Sequence, residues 1–141
     1  MASLAVELVT PERTFLLDDS ETVDNVDAVI ATGTEGEMTI LPNHAPLITA
    51  LAPGLLTLRT SVKETVFAVS GGFLEVNVNL VSVLADTAEY SHEIDVERAE
   101  VARDQAREII DTTADSDEAT NARSALSRAL ARLRAAERGD R

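Results

Sequence analysis

The sequence contains no cysteine and no tryptophan in its 141 residues, and aromatic residues make up only 3% of it. Without cysteine there is no disulfide framework, no thiolate metal site and no cysteine nucleophile. So few aromatic side chains can hardly line a groove, which argues against a generic β-sandwich adaptor or carbohydrate binder. No apolar run reaches the roughly 18 residues of a membrane span, and the first residues do not resemble a targeting peptide. We therefore expect no direct insertion into a membrane.

Basic residues are scarce, because 12 Lys and Arg stand against 25 Asp and Glu, for a formal net charge of −13. This balance argues against nucleic acid as a partner, since a phosphate backbone is bound by clustered Lys and Arg. The exception is residues 119–141, which carry six arginines against Glu137 and Asp140. This locally basic end is either a solvated helix face or a surface for a partner.

Residues 1–90 have the pattern of short β-strands. Leu4, Val6 and Leu8 alternate with Ala5 and Glu7, and similar alternation recurs up to residue 85. All four prolines and five of the six glycines precede residue 73, as the turns between strands require. The pattern predicts an antiparallel β-sandwich or barrel.

Residues 91–141 change to helical periodicity and contain a single glycine, Gly139, and no proline. Asp95 is expected to cap a first helix, with Ile94 stapled onto Ala99, and Asp115 to open a second. Short connections favour antiparallel helices, and the alanine-rich inner faces bury little area. We predict an α+β fold, mainly β, with an N-terminal antiparallel β-sandwich over residues 1–90. A marginally held two-helix hairpin follows over residues 91–141.

The chain contains no motif that assembles a catalytic or metal-binding site. His44 and His92 lack zinc-site spacing, and the acidic segment 18–27 matches no calcium loop. Ser70-Gly71-Gly72 lacks the glycine that a nucleophile elbow has two residues before its serine. We expect no catalytic residues and no metal, and interpret the chain as a protein that works by binding.

Five stretches in the chain carry a family signature. They are residues 36–47 (GEMTILPNHAPL), 51–54 (LAPG), 67–76 (FAVSGGFLEV), 83–89 (VLADTAE) and 94–99 (IDVERA). In this order, and together with the Arg- and Ala-rich last helix, they resemble the epsilon subunit of F-type ATP synthases. The resemblance covers nearly the whole chain, and its family fold is the sandwich and hairpin already predicted.

The resemblance implies a non-catalytic subunit of the central stalk, which turns with the rotor and couples proton flow to ATP synthesis. Its location would be peripheral, at the cytoplasmic face of the bacterial plasma membrane. The sandwich would bind the gamma subunit and the ring of c subunits, and the hairpin would rise toward the alpha/beta catalytic head and inhibit ATP hydrolysis. No cofactor would be required. The alternative is a free-standing nucleotide-sensing module.

The resemblance also implies roles for individual residues. The loop that faces the c ring would comprise Glu37, Met38, Pro42, Asn43 and His44. A regulatory ATP would be held by Ile94, Asp95, Arg98, Ala99, Arg128 and Arg132. Inhibitory contacts of the last helix would come from Arg123, Arg128, Arg132 and Arg134. The alternatives are that His44 caps a turn, that Asp95 only caps its helix, and that Arg98 pairs with a nearby carboxylate.

Overall fold

The computed structural model describes residues 2–12, 14–15, 23–113 and 116–139, so Asp115 and residues 18–22 of the acidic segment 18–27 lie outside the described residues. The strands are β1 (Leu4–Val9), β2 (Thr14–Phe15), β3 (Val23–Val26), β4 (Ala28–Gly33), β5 (Gly36–Ile40), β6 (Leu47–Arg59), β7 (Glu64–Val69), β8 (Gly72–Asn77), β9 (Leu80–Ala85) and β10 (Ala88–Tyr90). A 3₁₀ turn (Ser91–Glu93) leads into helices α1 (Val96–Thr112) and α2 (Asp117–Gly139). The predicted fold class is confirmed.

Strand β6 is long enough to belong to both layers of the sandwich. Its first half pairs with β8, from Leu47 to Leu51, and its second half pairs with β7, from Gly54 to Arg59. At the change of partner, a Cβ on Gly54 would meet the side chain of Thr32 at 2.5 Å. The Pro53-Gly54 pair, which we expected between strands, therefore bends one continuous strand from one layer into the other.

The alternating side chains of the strands meet in one core. Phe67, Leu74 and Val83 are fully buried there, as are Leu4 and Val6 of the first strand. Among the strands that the structure describes, one pairing differs from the predicted antiparallel arrangement, because β1 runs parallel to β9. A short turn forces antiparallel pairing, but these two strands are joined by the rest of the sandwich and carry no such constraint.

The two helices form the predicted hairpin, in which α2 lies against β6 and β7 and α1 packs on α2. The carboxylate of Asp95 accepts a hydrogen bond from the Arg98 amide at 3.1 Å, which confirms the predicted cap of α1. At the start of α2 the hydroxyl of Ser116 accepts from the Ala119 amide at 3.4 Å. Ile94, which we expected to staple onto Ala99, packs against Val66, Ala68 and Ala135, and so ties the start of α1 to the sandwich.

Candidate docking surfaces and ligand cavity

The stretch expected to face the c ring divides into an edge strand and a loop. Glu37 and Met38 lie in β5, which pairs with β4. Glu37 is exposed, whereas Met38 is half-buried and packs against the core. The irregular part is confined to residues 41–46. Strand pairing therefore places Glu37 and His44 at opposite ends of β5 rather than within one loop.

The loop of residues 41–46 is held by hydrogen bonds to the turn after β8 and within itself. The Asn43 amide donates to Asn79 Oδ1 at 2.6 Å, and Asn79 Nδ2 donates back to Asn43 Oδ1 at 3.3 Å. The His44 amide donates to the Leu41 carbonyl at 3.2 Å, which closes a turn. Pro42, half-buried in the loop, fixes its own φ. The loop is therefore a rigid projection on the sandwich.

The imidazole of His44 is hydrogen-bonded within this loop. Its Nδ1–H donates to the Ala45 carbonyl oxygen, 2.6 Å away. Because a carbonyl oxygen can only accept, Nδ1 is the donor of this hydrogen bond, and Nε2 is the ring nitrogen that it leaves available. The side chain thus stabilises the turn and still offers one ring nitrogen to a partner.

A cavity of about 430 Å³ lies between the end of the sandwich and the two helices. Four of the residues expected to bind ATP line it, namely Asp95, Arg98, Ala99 and Arg132. Two further carboxylates also line the cavity, those of Glu89 and Glu93. Two guanidinium groups and three carboxylates therefore converge on one space.

One ion pair crosses this cavity from the sandwich to the hairpin. Arg132 Nε donates to Glu89 Oε1 at 2.6 Å, and the two side chains are 31% and 34% exposed. Glu89 is absent from the predicted set, because nothing in the sequence says which acidic side chain faces the last helix. Its only signal was its place at the end of the VLADTAE stretch, directly before the hairpin.

The other two residues of the predicted nucleotide set lie outside this cavity. Arg128 lines a small adjoining cleft, which it shares with Glu89 and Arg132. Ile94 belongs to the apolar cluster that joins the helices to the sandwich. The structure therefore brings five of the six residues to two neighbouring clefts. The sixth, Ile94, packs in the apolar cluster between the helices and the sandwich.

The four arginines expected to contact the catalytic head divide into two pairs. Arg128 and Arg132 are half-buried against the sandwich. Arg123 and Arg134 are exposed, and each donates to its own helix, to the Thr120 hydroxyl at 3.3 Å and to the Leu130 carbonyl at 3.4 Å. In this position of the hairpin, only half of the predicted basic surface faces away from the protein.

Helix α1 presents the opposite charge. Glu97, Glu100 and Asp104 are exposed and line a shallow groove along it. Arg103 Nε donates to Asp104 Oδ1 at 3.0 Å, and this hydrogen bond raises the pKa of Arg103. The hairpin thus exposes a mainly acidic groove on α1, in which Arg98 is the basic member, and basic residues on α2.

The outer face of the sandwich carries an exposed apolar row across four strands. Ala50 of β6 lies opposite Phe73 of β8, Phe73 lies opposite Leu84 of β9, and Leu84 lies opposite Val9 of β1. Phe73 is 58% exposed and Leu84 is 54% exposed. Adjacent exposed apolar side chains of this size are typical of a protein-binding surface.

Within the part of the chain that the structure describes, carboxylate and imidazole groups form no cluster that could hold a metal ion. In the same residues, no helix is both long enough and apolar enough to cross a membrane.

Comparison with protein families gives two adjacent matches. The model described as ATP synthase, Delta/Epsilon chain, beta-sandwich domain matches residues 3–91. The model described as ATP synthase, Delta/Epsilon chain, long alpha-helix domain matches residues 92–137. Together they cover almost the whole chain, in the order of its two structural parts.

Individual relatives agree with these matches. The chain is 46% identical to the ATP synthase epsilon chain of Moorella thermoacetica over 137 residues, which cover 96% of this chain and 98% of the relative. It is 41% identical to that of Desulforamulus reducens over 132 residues, covering 94% and 96%.

Among solved structures, a chain of the Euglena gracilis mitochondrial ATP synthase, determined as OSCP/F1/c-ring in rotational state 1, is 27% identical with a TM-score of 0.81. The match covers 97% of this chain and 82% of that one. A chain from the central stalk/c-ring of the Tetrahymena thermophila mitochondrial enzyme shares the fold, at 17% identity and a TM-score of 0.61, over 95% and 96% of the two chains. The resemblance seen in the sequence is thereby confirmed, and the chain belongs to the ATP synthase epsilon chain family.

Proposed function

We propose that the chain is a non-catalytic rotor subunit of the central stalk, which couples proton flow through the c ring to ATP synthesis. The observation that carries this proposal is the two-part architecture, a rigid sandwich with exposed docking features and a hairpin held to it by small side chains. Family membership supports assembly into an ATP synthase. The proposed location is the cytoplasmic face of the bacterial plasma membrane, as a peripheral subunit.

Purification of the tagged protein from its own membranes tests this assignment. We expect the subunits of an ATP synthase to accompany it. Recovery of the protein alone, in a form that still binds nucleotide, would favour the alternative of a free-standing nucleotide-sensing module.

The gamma subunit is the proposed partner of the apolar row on the outer face of the sandwich. Burying Phe73 and Leu84 against gamma would remove apolar surface from water, which favours association. Phe73→Ser should therefore weaken gamma binding by about tenfold, or about 1.4 kcal/mol. Val62→Ser is the control, because Val62 is an apolar residue that is even more exposed than Phe73, at 87% against 58%, but lies in the turn between β6 and β7.

A chain that ends at Tyr90 offers a second test of the gamma interface. If the sandwich makes this interface, the shortened chain should still co-purify with gamma. A shortened chain that folds, as judged by circular dichroism, yet fails to bind would place the interface on the hairpin instead.

The c ring is the proposed partner of Glu37 and of the loop that contains Pro42, Asn43 and His44. The clamped loop supports this proposal, because a rigid projection loses little conformational entropy when it docks. Cysteines placed singly at positions 37 and 44 of this cysteine-free chain should crosslink to cysteines in the c-subunit loops. Crosslinks to the alpha or beta subunits alone would contradict the assignment.

The hairpin is proposed to inhibit ATP hydrolysis by extending toward the alpha/beta head. In the folded-down position Arg128 and Arg132 face the sandwich, whereas an extended hairpin would present them beside Arg123 and Arg134. A two-state element of this kind needs a free-energy difference of only a few kcal/mol between its positions. Desolvated Arg–carboxylate pairs can supply that difference, whereas exposed pairs supply little.

Deletion of residues 91–141 tests the inhibitory role in membrane vesicles. ATP hydrolysis should rise while ATP synthesis is retained. If the rates of ATP hydrolysis and ATP synthesis both equal those measured with the full-length chain, the hairpin does not regulate the enzyme.

ATP is the proposed regulatory ligand of the cavity between the helices and the sandwich. Arg98 and Arg132 are suited to phosphate oxygens, since a guanidinium donates in a planar fork. The three carboxylates oppose a bare tetra-anion, so the magnesium complex with its lower charge fits the cavity better. Bound there, the nucleotide would bridge α1 and α2 at the sandwich and hold the hairpin down.

Calorimetry of the isolated subunit with millimolar MgATP tests the ligand. Binding heat should be lost in Arg98→Ala and retained in Arg107→Ala, because Arg107 is an exposed arginine of the same helix that lies outside the cavity lining. If the unmodified chain gives no binding heat, ATP is not the ligand of this cavity. Heat that survives Arg98→Ala unchanged would move the site elsewhere.

A further inference from the structure

The turn between β8 and β9 has an unusual residue at its tip. Val78 and Asn79 both have positive φ, 47° and 59°, and the strands pair directly across them at Asn77 and Leu80. Such tight hairpin turns favour Asn, Asp or Gly, whereas a β-branched residue at positive φ is a genuine outlier. Val78 is also 85% exposed, so packing within the protein does not explain it. Unfavourable backbone conformations of this kind cluster at binding sites.

The same turn holds the loop of residues 41–46. Asn43, also at positive φ, shares two hydrogen bonds with Asn79 although 36 residues separate them. Leu41, two positions before Asn43, is more than half exposed. The loop and the turn therefore form one continuous surface, with two exposed apolar side chains beside a pair of interlocked asparagines.

This surface lies at the start of β6, far from the other exposed turn of the sandwich. The turn that holds Val62 follows the other end of β6, a strand of 13 residues. Val62 is 87% exposed, about as much as Val78 at 85%. The two valines thus form a matched pair, alike in chemistry and exposure and different in place.

We propose that the β8–β9 turn is part of the surface that docks on the c ring, where Val78 makes an apolar contact and Asn79 positions the neighbouring loop. The inference rests on the proposed docking of residues 41–46, and the two hydrogen bonds to Asn43 make the turn continuous with them. The c ring is favoured over gamma as the occupant. The apolar row assigned to gamma lies on the outer face of the sheet, whereas this turn lies where strands β8 and β9 meet at their ends.

Single cysteines at positions 44, 62 and 78 of the assembled complex test the contact. Val78→Cys should crosslink to cysteines in the c-subunit loops about as well as His44→Cys, and Val62→Cys should not. Crosslinking of position 44 without position 78, or of position 78 to gamma only, overturns this inference while the proposed function stands. If neither position reaches the c ring, the proposed docking of the loop fails as well.

Substitutions of Asn79 test its positioning role in the His44→Cys background. Asn79→Gly tolerates the same positive φ but removes both hydrogen bonds, so crosslinking of position 44 should fall about fivefold, the effect of roughly 1 kcal/mol. Asn79→Asp keeps an acceptor for the Asn43 amide and should restore most of the yield. Asn25→Gly is the control, because Asn25 also has positive φ but lies in β3.

Hydrogen exchange of the full chain separates positioning from general loss of structure. In Asn79→Gly, exchange should accelerate at the amides of Asn43 and His44 and stay unchanged in β1 and β9. Equal crosslinking in Asn79→Gly and Asn25→Gly, or faster exchange throughout the sandwich, would overturn the positioning role.

Discussion

The sandwich and the helical hairpin bury very different side chains. The sandwich closes over large apolar residues such as Phe67, Leu56 and Ile40, which are fully buried. In the helices, every buried residue that the structure describes is an alanine. Burial of apolar surface contributes about 25 cal/mol per Å², so a Leu or Phe contributes several times as much as an Ala.

This difference gives the two regions different tasks. The sandwich has enough buried surface to persist as a rigid unit, whereas the hairpin relies on close approach of small residues and on a few polar contacts. Alanine also has the highest helix propensity, so the helices depend less on the sandwich for their secondary structure than helices of other composition would. A helical region that keeps its secondary structure when it leaves the sandwich can move as one rigid element.

The largest expected effect comes from the core of the sandwich. Phe67→Ala should lower the free energy of unfolding by about 3–5 kcal/mol, because it leaves a cavity where the ring is fully buried. Urea denaturation monitored by circular dichroism measures this change. The control is Phe73→Ala, at an exposed position, which should cost under about 1 kcal/mol. Comparable losses in both variants would mean that the ring of Phe67 is not the centre of the core.

The next effect is expected where α2 meets the sheet. Ala135 is fully buried between Val66 and Ala68, so Ala135→Leu should force the helix outward at a cost of about 1–3 kcal/mol. Limited proteolysis should then cut residues 91–139 faster while β6 and β7 remain protected. Ser127→Leu adds the same side chain at an exposed position of α2 and should leave the cleavage rate unchanged. Unfolding of the sandwich together with the hairpin would show that the two are one cooperative unit.

A smaller effect is expected at the first turn of α1. Asp95→Ala removes the acceptor of the Arg98 amide and should cost about 1 kcal/mol of helix stability. Amide exchange in residues 96–99 should accelerate, and Asp95→Asn should preserve most of the protection. If Asp95→Ala leaves exchange unchanged but abolishes MgATP binding, the carboxylate serves the ligand rather than the helix.

The smallest effect is expected for the ion pair between the two regions. Both side chains are about one-third exposed, so the coupling between Glu89 and Arg132 should be about 1 kcal/mol or less. A double-mutant cycle with Glu89→Gln and Arg132→Gln, read out as hairpin release, measures this coupling. The coupling should weaken as the salt concentration rises. A coupling that is independent of salt would point to packing of the arginine stem rather than to charge.

The sequence predicted the features that depend on neighbours along the chain. The alternation around Leu4 identified β1, the alanine spacing identified both helices, and Asp95 was found from the capping preference of its side chain. These features depend on interactions within a few residues, which a periodic pattern records directly.

The features that the sequence did not predict depend on distant partners. A Pro-Gly pair normally marks a turn, yet Pro53 and Gly54 continue β6 because β7 and β8 pair on either side of them. The contact of Glu89 with Arg132 spans 43 residues, and no local pattern distinguishes Glu89 from the other acidic residues. The family resemblance supplied Asp95, Arg98, Ala99 and Arg132 of the candidate cavity, since no local pattern shows that the start of α1 and the middle of α2 meet in space.

The parallel pairing of β1 with β9 also bears on how the protein is made. The Ser82 hydroxyl donates to the Glu7 carboxylate at 2.6 Å across 75 residues of chain. During synthesis β1 leaves the ribosome before β9, and this parallel partner follows only when most of the sandwich has emerged. Pairing over such a distance slows folding, because the chain must close a long loop before the contact forms. The hairpin leaves the ribosome later still, so it can dock on a sandwich that has already closed.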